Sequence, residues 1–586
     1  MGIIARQSIK GAVANYVGVA IGFFVSFFVL TRYLTQEEIG LTRVMVDAAL
    51  LFSSLAQLGT NASIVRFFPW FKTPSPLRGT PPSKGGERDV LFHSSPSQKD
   101  NVLFNSSPSQ GEVPEGRRGK KPSQEDNVLS HSSPSQEHNV LFNSSPSQGE
   151  VPEGRRGKEP SQEGIPNHGI FGLSVLVPLA GFCLFALAFL LFREPLLTVY
   201  AKNSPLVADY FYLIPMLTFF ALYTTVFETN ASVLLRITVP KLVREVGIRL
   251  FNLAAYLLYG YDLISLDVFV WLFCGSYGLA MVLNLMYLRS LGRISFRIDR
   301  GFLDRGKVRE MARYSLFMTA TVLAGNIPLF NSLFLGAKAG LALTGVYTIA
   351  SYIANVVEVP YRSLGAISRP VIATAVKEED WDEVNRLGKQ VSLHQFIVSI
   401  SILYLIYINL DTLFALIPNG ADYAAGKSVV LILGLAKVVN SSLSVCTDIL
   451  NFSRHYAWSL LYIAILTLAA IGLNSALIGP DSAIEGAAGA TLISYLAYFA
   501  LLMRQLWHED VNVLTWGHLK MVAIMTALAA LYVAWTAIAE PALGMHPLLA
   551  AVVRTAILGA LLAAAILGWK VSPTVNNMLH EFKKKL

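Results

Sequence analysis

The chain has 586 residues, of which 53% are hydrophobic and only 15% are charged. Soluble domains usually carry about 25% charged residues, so this composition excludes a set of ordinary soluble domains. The formal net charge is +8 and the mean hydropathy is +0.48, which together predict a membrane protein with basic loops.

Long apolar segments recur along the chain at the length that a bilayer requires. A helix rises 1.5 Å per residue, so about 20 apolar residues cross a hydrocarbon core of about 30 Å. Helices are expected because an unpaired backbone amide in lipid costs several kcal/mol. The sequence predicts an all-α polytopic membrane protein with about fourteen transmembrane helices, near 11–34, 40–68, 170–192, 206–235, 241–260, 265–288, 313–336, 341–364, 390–410, 427–450, 457–478, 485–506, 518–538 and 547–569.

Basic residues are distributed unevenly between these segments, and this asymmetry predicts the orientation. If the N-terminus is inside, the inner loops carry most of the Lys and Arg, including a dense set in 289–309. The opposite segments 261–266, 475–486 and 538–547 carry none. By the positive-inside rule both termini are expected inside the cell. Basic loops that face an anionic leaflet account for the net charge, so no nucleic-acid partner is expected.

A polar segment, residues 73–168, interrupts the apolar pattern. It contains two copies of one 38-residue unit, 89–126 and 127–164, rich in Ser, Pro, Gln, Gly and Glu. Such a unit cannot bury enough apolar surface to offset the entropy of ordering it, so a disordered cytoplasmic insert is expected. Long surface loops add little closure entropy, which explains why the insert is tolerated.

A more distant repeat relates the two halves of the chain. Aligning the stretch from Ile4 with the stretch from Met311 matches Arg6 with Arg313, Ser8 with Ser315 and Gly40 with Gly345. Six predicted spans separate the copies, so two parallel six-helix repeats are expected, an architecture found in transporters. Segment 368–390, the equivalent of the insert, is expected to form an amphipathic helix at the inner surface.

The repeat and the insert together predict the domains. These are an N-terminal six-helix lobe (1–72 and 169–300), the insert (73–168), a C-terminal six-helix lobe (301–510), and two extra helices with a basic tail (511–586).

Two paired halves around a cleft indicate alternating access by rocking of the lobes. The sequence contains no GxxxxGK[ST] phosphate loop, so the chain is not expected to hydrolyse ATP. The three cysteines form no recognisable metal site, and no cofactor or metal is expected. The short outer loops hold no paired catalytic carboxylates, so an enzyme is not expected.

Three short phrases resemble the polysaccharide-exporter branch of the multidrug/oligosaccharidyl-lipid/polysaccharide flippase superfamily: TRYLTQEEIGL (31–41), LAQLGTNASIVRFFP (55–69) and KEEDWDEVNRL (377–387). The resemblance covers nearly the whole chain except 73–168. It implies an O-antigen or capsule-repeat flippase, which moves an undecaprenyl-pyrophosphate-linked oligosaccharide across the bacterial inner membrane. It also implies membrane lipids, glycosyltransferases and a polysaccharide polymerase as partners. A lipid II flippase and a multidrug or cation extruder of the same superfamily are the alternatives.

Such a substrate demands fixed positive charge in a wet cleft, because its pyrophosphate must cross the low-dielectric midplane. The candidate substrate-binding residues are Arg43, Asp47, Arg66, Glu228, Arg249, Lys437 and Asp448. Arg43 with Asp47, and Glu358 with Arg362, are spaced four apart, so each pair forms a salt bridge or faces the cleft. The aromatic residues Tyr223, Tyr256, Tyr347 and Tyr352 are candidates for stacking on sugars or for packing.

Deletion of residues 89–164 should leave transport activity near normal, because a disordered loop outside the spans contributes nothing to the cleft. The measurement is lipid flipping by proteoliposomes that contain equal amounts of the intact and the shortened protein. A well-expressed deletion protein with no transport would contradict this interpretation of the insert.

Overall fold

The computed structural model describes residues 17–71, 166–539 apart from 293, 294, 296, 300 and 326, and 546–572. Residues 73–165 of the predicted insert 73–168, and both termini, lie outside the described residues, so the prediction of a disordered insert stays a prediction. All of the described residues belong to one compact unit. The division into two six-helix lobes also stays a prediction.

Every long element in the described residues is a helix. Labelled in chain order, these are α1 (Val17–Tyr33), α2 (Gln36–Ala56), α3 (Thr60–Phe71), α4 (Ile170–Leu191), α5 (Leu213–Val233), α6 (Ile248–Gly260), α7 (Leu266–Ser290), α8 (Arg305–Gly325), α9 (Ile327–Lys338), α10 (Leu341–Asn355), α11 (Val359–Lys377), α12 (Trp381–Ile408), α13 (Lys427–Phe452), α14 (Tyr456–Leu477), α15 (Ala483–Trp507), α16 (Trp516–Ala534) and α17 (Pro547–Gly568). Shorter helical turns link some of them, such as the π-helical turn Val243–Gly247 before α6.

Within the described residues, 10 helical segments are long and apolar enough to cross a membrane. This confirms the predicted all-helical, multi-pass membrane protein. Each of the predicted segments contains helix, but 11–34, 206–235, 241–260 and 313–336 are not among the 10. The count of fourteen spans and the orientation therefore stay predictions.

The start of α2 is fixed by a capping box at Thr35. The Thr35 hydroxyl accepts a hydrogen bond from the backbone N–H of Glu38, and the Glu38 carboxylate accepts one from the backbone N–H of Thr35. Each bond satisfies a donor that the first turn of the helix leaves unpaired. The cap sets the register of α2 and hence the faces on which Arg43 and Asp47 lie.

The predicted span 40–68 is broken rather than continuous. Leu58 has φ 48° and Gly59 has φ 64°, and two successive left-handed residues cannot continue a right-handed helix. A side chain on Gly59 would collide with the backbone oxygen of Ser315 in α8. The break therefore lets α3 pack closely on α8, where the hydroxyls of Ser63 and Ser315 lie 2.5 Å apart.

Helices α2 and α10 cross at two glycines that the sequence repeat pairs. A Cβ atom on Gly40 would collide with the backbone oxygen of Leu341, and one on Gly345 with the backbone oxygen of Gln36. Each glycine thus meets the residue four positions before the other glycine, a reciprocal contact. Only glycine permits so close an approach of two helix backbones.

The prediction of one amphipathic helix over 368–390 is wrong. Helix α11 ends at Lys377, a turn follows, and α12 begins at Trp381. The turn contains Glu379 with φ 55°, and the Asp380 side chain accepts a hydrogen bond from the backbone N–H of Glu383. The N-cap residue and the left-handed residue before it are both helix-boundary signals, and they divide the segment.

The last two long helices, α16 and α17, pack against α12. The Tyr404 hydroxyl donates a hydrogen bond to the backbone oxygen of Leu528 at 3.1 Å. A cluster of buried apolar side chains joins the three helices, including Ile408, Met521 and Leu558. This cluster is separate from the larger core that α2, α7, α10 and α13 share.

The substitution Gly345→Ala should lower the free energy of unfolding by about 2 kcal/mol, because the added methyl group forces α2 and α10 apart. Thermal unfolding in detergent measures the change. Gly275→Ala in α7 is the matched control, since a Cβ there meets no atom within 4 Å and alanine favours helix. Equal melting temperatures for the two variants would refute the role of the crossing.

Candidate functional site

A cavity of about 370 Å³ lies between helices of both predicted repeats. Its wall is formed by α1, α2, α6 and α7 from the first repeat and by α10 with the residues that follow it from the second. Among the described residues, the charged side chains of this wall are Arg43 and Arg249, and both are basic. Two of the seven candidate residues therefore line the cavity.

Arg43 is held in place by an ion pair inside the helix bundle. Its Nε lies 2.6 Å from Oδ2 of Asp47, which confirms the four-residue pair as a salt bridge. Asp47 is not a wall residue, and only 3% of its side chain is exposed. Its carboxylate also accepts a hydrogen bond from Ser332 of α9, so the acid lies behind the wall and the guanidinium lies in it.

The guanidinium of Arg43 lies 5.9 Å from the centre of the Tyr352 ring on α10. A cation over an aromatic face is attracted by the ring quadrupole. Arg43 thus contacts both predicted repeats, one through the carboxylate of its own helix and the other through this ring.

A buried amide cluster adjoins Ser332. Asn331 donates hydrogen bonds to the Tyr347 hydroxyl and to Thr491, each at 2.7 Å, and accepts one from Asn474 at 2.9 Å. These bonds join α9, α10, α14 and α15. Hydrogen bonds of this kind between neighbouring helices give direction to a bundle in which apolar packing alone has none.

Arg249 enters the cavity from α6. Its guanidinium donates hydrogen bonds to Glu245 at 3.2 Å and to the backbone oxygen of Gly18 in α1. Glu245 belongs to the π-helical turn before α6 and is not a wall residue. As with Arg43, a carboxylate behind the wall holds a guanidinium that faces the cavity.

Glu228 lies outside this cavity, at the end of a chain of alternating charges. Its carboxylate is 2.8 Å from Arg244 Nη1, and Arg244 Nε is 3.2 Å from Glu245. Glu245 in turn pairs with Arg249. The structure therefore connects the candidates Glu228 and Arg249 through two intervening side chains rather than in one pocket.

Lys437 of α13 is paired with Glu358, in the short turn between α10 and α11. The two charged groups are 3.2 Å apart, and Asn440 donates a second hydrogen bond to Glu358 at 2.8 Å. Only 12% of each charged side chain is exposed. Glu358 thus has partners on α13. The sequence paired it with Arg362, whose side chain lies outside the described residues.

The remaining two candidates lie away from the cavity. Asp448 is 3.1 Å from Arg369 Nε, and Arg369 also donates to the Tyr361 hydroxyl at 2.7 Å. Arg66 is exposed, with its guanidinium 4.4 Å from the centre of the Tyr314 ring. Neither residue lines the cavity that contains Arg43 and Arg249.

Sequence reasoning missed several polar residues of the wall, among them Asn252, Tyr277 and Asn355. Of the four candidate aromatic residues, Tyr256 and Tyr352 line the cavity, whereas Tyr223 and Tyr347 are buried elsewhere in the bundle. The spacing of Arg249, Asn252 and Tyr256 at intervals of three and four could have revealed this helix face. The other missed residues, Tyr277 and Asn355, carry no charge, so nothing in the sequence marked them as unusual within a membrane span.

The wall can bind an anion and polar groups. The described residues of the wall present two guanidinium groups, side-chain amides, phenolic rings and the hydroxyls of Ser26 and Thr42 among apolar side chains. Guanidinium groups bind phosphate oxygens in bidentate fashion, and aromatic rings stack on sugars. Within the described part of the chain, no three His, Cys, Asp or Glu side chains gather into a group that could hold a metal.

The fold is similar to that of two solved membrane transporters. A lipid II flippase, MurJ, in an inward closed conformation superposes with a TM-score of 0.61 at 9% identity, covering 96% of this chain and 100% of that one. An inward-facing multidrug resistance MATE family transporter of the MOP superfamily gives 0.52 at 13% identity, covering 87% and 98%. No family model matches the sequence, and no curated protein does either. At these identities the likeness establishes the fold.

The substitution Asp47→Ala should lower the free energy of unfolding by about 3 kcal/mol, because it leaves the Arg43 charge without its partner inside the bundle. The double substitution Arg43→Met with Asp47→Leu should recover most of that loss, since it removes both charges. Thermal or denaturant unfolding in detergent measures both variants.

Glu383→Ala is the matched control, because Glu383 forms an equally short pair, 2.6 Å, with an Arg386 that is 63% exposed. An exposed pair contributes little, so the melting temperature should hardly change. If Asp47→Ala lowers the free energy of unfolding no more than Glu383→Ala does, the buried pair contributes no more to stability than the exposed pair.

Proposed function

We propose that this protein is a flippase that moves an undecaprenyl-pyrophosphate-linked oligosaccharide, an O-antigen or capsule repeat unit, across the bacterial inner membrane by alternating access. The observation that carries the proposal is the charge of the cavity wall. Among the residues that the structure describes, the charged residues of the wall are Arg43 and Arg249, which are both basic, and their carboxylate partners are not wall residues.

The wall favours an anionic head group over a cation. A cation extruder needs acidic groups that face its cargo, whereas Asp47 and Glu245 are not wall residues here. A pyrophosphate brings oxygens that can replace or share the bonds which each arginine now makes to a carboxylate. Asp47 and Glu245 then act as positioning residues that hold the guanidinium groups while the cavity is empty.

In this proposal the cavity binds the head group of the substrate, and the lipid surrounds its prenyl tail. The cavity, of about 370 Å³, holds the pyrophosphate and the nearest sugar in this proposal. The prenyl tail stays in lipid, where apolar chains need no pocket. The arginines replace the water that the pyrophosphate loses as it crosses the midplane, and this lowers its cost of transfer.

The other candidate residues take supporting roles in this proposal. Glu228, Lys437 and Asp448 form ion pairs between neighbouring segments of the bundle, and these pairs must survive or exchange partners when the two repeats rock. Arg66, which is exposed, would contact the anionic head groups of the inner leaflet in the predicted orientation. Polysaccharide polymerase and glycosyltransferases are the proposed partners.

A lipid II flippase is the second candidate, because that is what the MurJ structure with the higher TM-score is said to be. Lipid II and an oligosaccharide repeat unit present the same pyrophosphate to the two arginines. The sugars distinguish them, so a transport assay with both lipids separates the two functions.

Arg43→Ala and Arg249→Ala should each slow flipping of an undecaprenyl-pyrophosphate oligosaccharide about tenfold to a hundredfold, the effect of losing one charge-assisted hydrogen bond. Lys437→Ala should slow it as well if its ion pair exchanges partners during transport. The measurement is the rate at which a fluorescent lipid-linked oligosaccharide becomes accessible on the far side of a proteoliposome.

Arg386→Ala is the control, because Arg386 is exposed on α12, pairs with Glu383 and is not a wall residue. Unchanged flipping by both Arg43→Ala and Arg249→Ala would remove the proposed site. Faster flipping of lipid II than of the oligosaccharide lipid by the unaltered protein would favour the second candidate.

A further inference from the structure

A second cavity, of about 330 Å³, lies between α3 and α4 of the first predicted repeat and α8 of the second. We call it the α8 groove; its lining residues fall within 58–64, 170–177 and 303–319. Each helix contributes apolar side chains, such as Ile64, Leu173 and Leu316. Leu316 and Val177 are exposed at the surface of the bundle, so the groove opens sideways toward the surrounding lipid.

The polar groups of the α8 groove already have hydrogen-bond partners. The hydroxyls of Ser63 and Ser315 lie 2.5 Å apart, Thr319 donates to the backbone oxygen of Ser315 at 2.9 Å, and Ser174 donates to a backbone oxygen of its own helix at 2.7 Å. The remaining lining hydroxyl belongs to Thr60, which is buried. A hydrocarbon chain in the groove therefore takes no partner away from these four hydroxyls, and the usual cost of covering polar groups does not arise.

The length of the groove matches one leaflet of a bilayer. Its lining residues on α8 run from Val308 to Thr319, which is about 16 Å at 1.5 Å per residue. A hydrocarbon core of about 30 Å gives each leaflet about 15 Å. The groove can therefore accommodate the acyl chain of a lipid that belongs to one leaflet.

Two arginines stand at the end of the groove where α8 begins. Arg305 and Arg309 each precede a lining residue, Val308 and Ala312, by three positions, and residues three apart share one side of a helix. Both arginines are exposed, and neither forms an ion pair with another described residue. Their positive charges are therefore available to a ligand at this end.

The nearby acidic groups do not neutralise these arginines. Asp299 is 2.9 Å from His168, and Asp304 accepts a hydrogen bond from the backbone N–H of Lys307 at 2.8 Å. Glu310 is separated from Val308 and Ala312 by two residues in each direction, so it lies on the other side of α8. The groove thus combines an apolar channel with a basic end.

We propose that the α8 groove binds an anionic phospholipid of the inner leaflet. The phosphate of its head group contacts Arg305 and Arg309, and one acyl chain lies along α8 between α3 and α4. Basic pockets between membrane helices on the cytoplasmic side bind anionic head groups in this way, and the predicted orientation puts segment 289–309 inside. The lipid touches both predicted repeats, and its binding does not depend on the proposed function.

The head group sets the preference between lipids. Each arginine near an anionic membrane surface contributes about 1 kcal/mol, so two of them correspond to about a thirtyfold preference. A zwitterionic phospholipid offers the groove the same acyl chain, but it carries a cation beside its phosphate. The groove should therefore select by charge rather than by chain.

The test uses the full-length protein in phosphatidylcholine nanodiscs that contain a trace of a photoreactive probe, either phosphatidylglycerol or phosphatidylcholine with the reactive group on one acyl chain. The phosphatidylglycerol probe should label α8 between Val308 and Thr319 about thirtyfold more than the phosphatidylcholine probe does. Arg305→Gln with Arg309→Gln should bring the two probes within twofold, and glutamine at these exposed positions favours helix. Ala312→Phe fills the groove, so it should abolish labelling there by the phosphatidylglycerol probe.

Arg386→Gln with Arg454→Gln is the matched control, because it removes two exposed arginines that do not line the groove. This variant should keep the preference of the unaltered protein. Equal labelling of α8 by both probes would show that the groove holds bulk lipid only, and a preference that survives Arg305→Gln with Arg309→Gln would remove the proposed head-group site. Displacement of the phosphatidylglycerol probe by undecaprenyl phosphate at a lower mole fraction than by phosphatidylglycerol would assign the groove to a prenyl lipid instead, and would also overturn the proposal.

Discussion

The close crossing of α2 and α10 is the constraint on which the rest of this structure depends. Gly40 and Gly345 each meet the backbone of the opposite helix, so the two helices touch without intervening side chains. In a bilayer no hydrophobic effect drives helices together, and small residues supply the packing instead. The crossing places Arg43 of α2 opposite Tyr352 of α10, and so forms one wall of the cavity from both predicted repeats.

The cavity shows how a membrane protein can keep positive charge inside a bundle. Each wall arginine is paired with an acid of its own or an adjoining helix, Asp47 or Glu245, and that acid lies behind the wall. The pairing offsets the cost of desolvating the guanidinium. Because the acid is not a wall residue, the cavity presents the cation and not the acid. The direction of the charges, rather than their number, therefore makes this wall basic.

Individual residues show how far sequence reasoning reached. The Arg43–Asp47 pair followed from its spacing, because residues four apart meet on any helix. Glu358 was paired with Arg362 by the same rule, yet its carboxylate contacts Lys437 and Asn440 of α13. Local spacing could not reveal a partner about 80 residues away in the chain, as the separations of 79 and 82 show. The prediction of one helix over 368–390 was wrong for a different reason, because it overlooked the turn signals at Glu379 and Asp380.

The sequence by itself determined that this is a helical membrane protein with several spans, because segment length and hydropathy act within one helix at a time. Only the tertiary structure decided which charges face a common cavity. Arg43 and Arg249 converge there, whereas Glu228, Lys437 and Asp448 pair elsewhere. The physical reason is that the side of a helix facing a cavity depends on how several helices pack, and residues distant in sequence set that packing together.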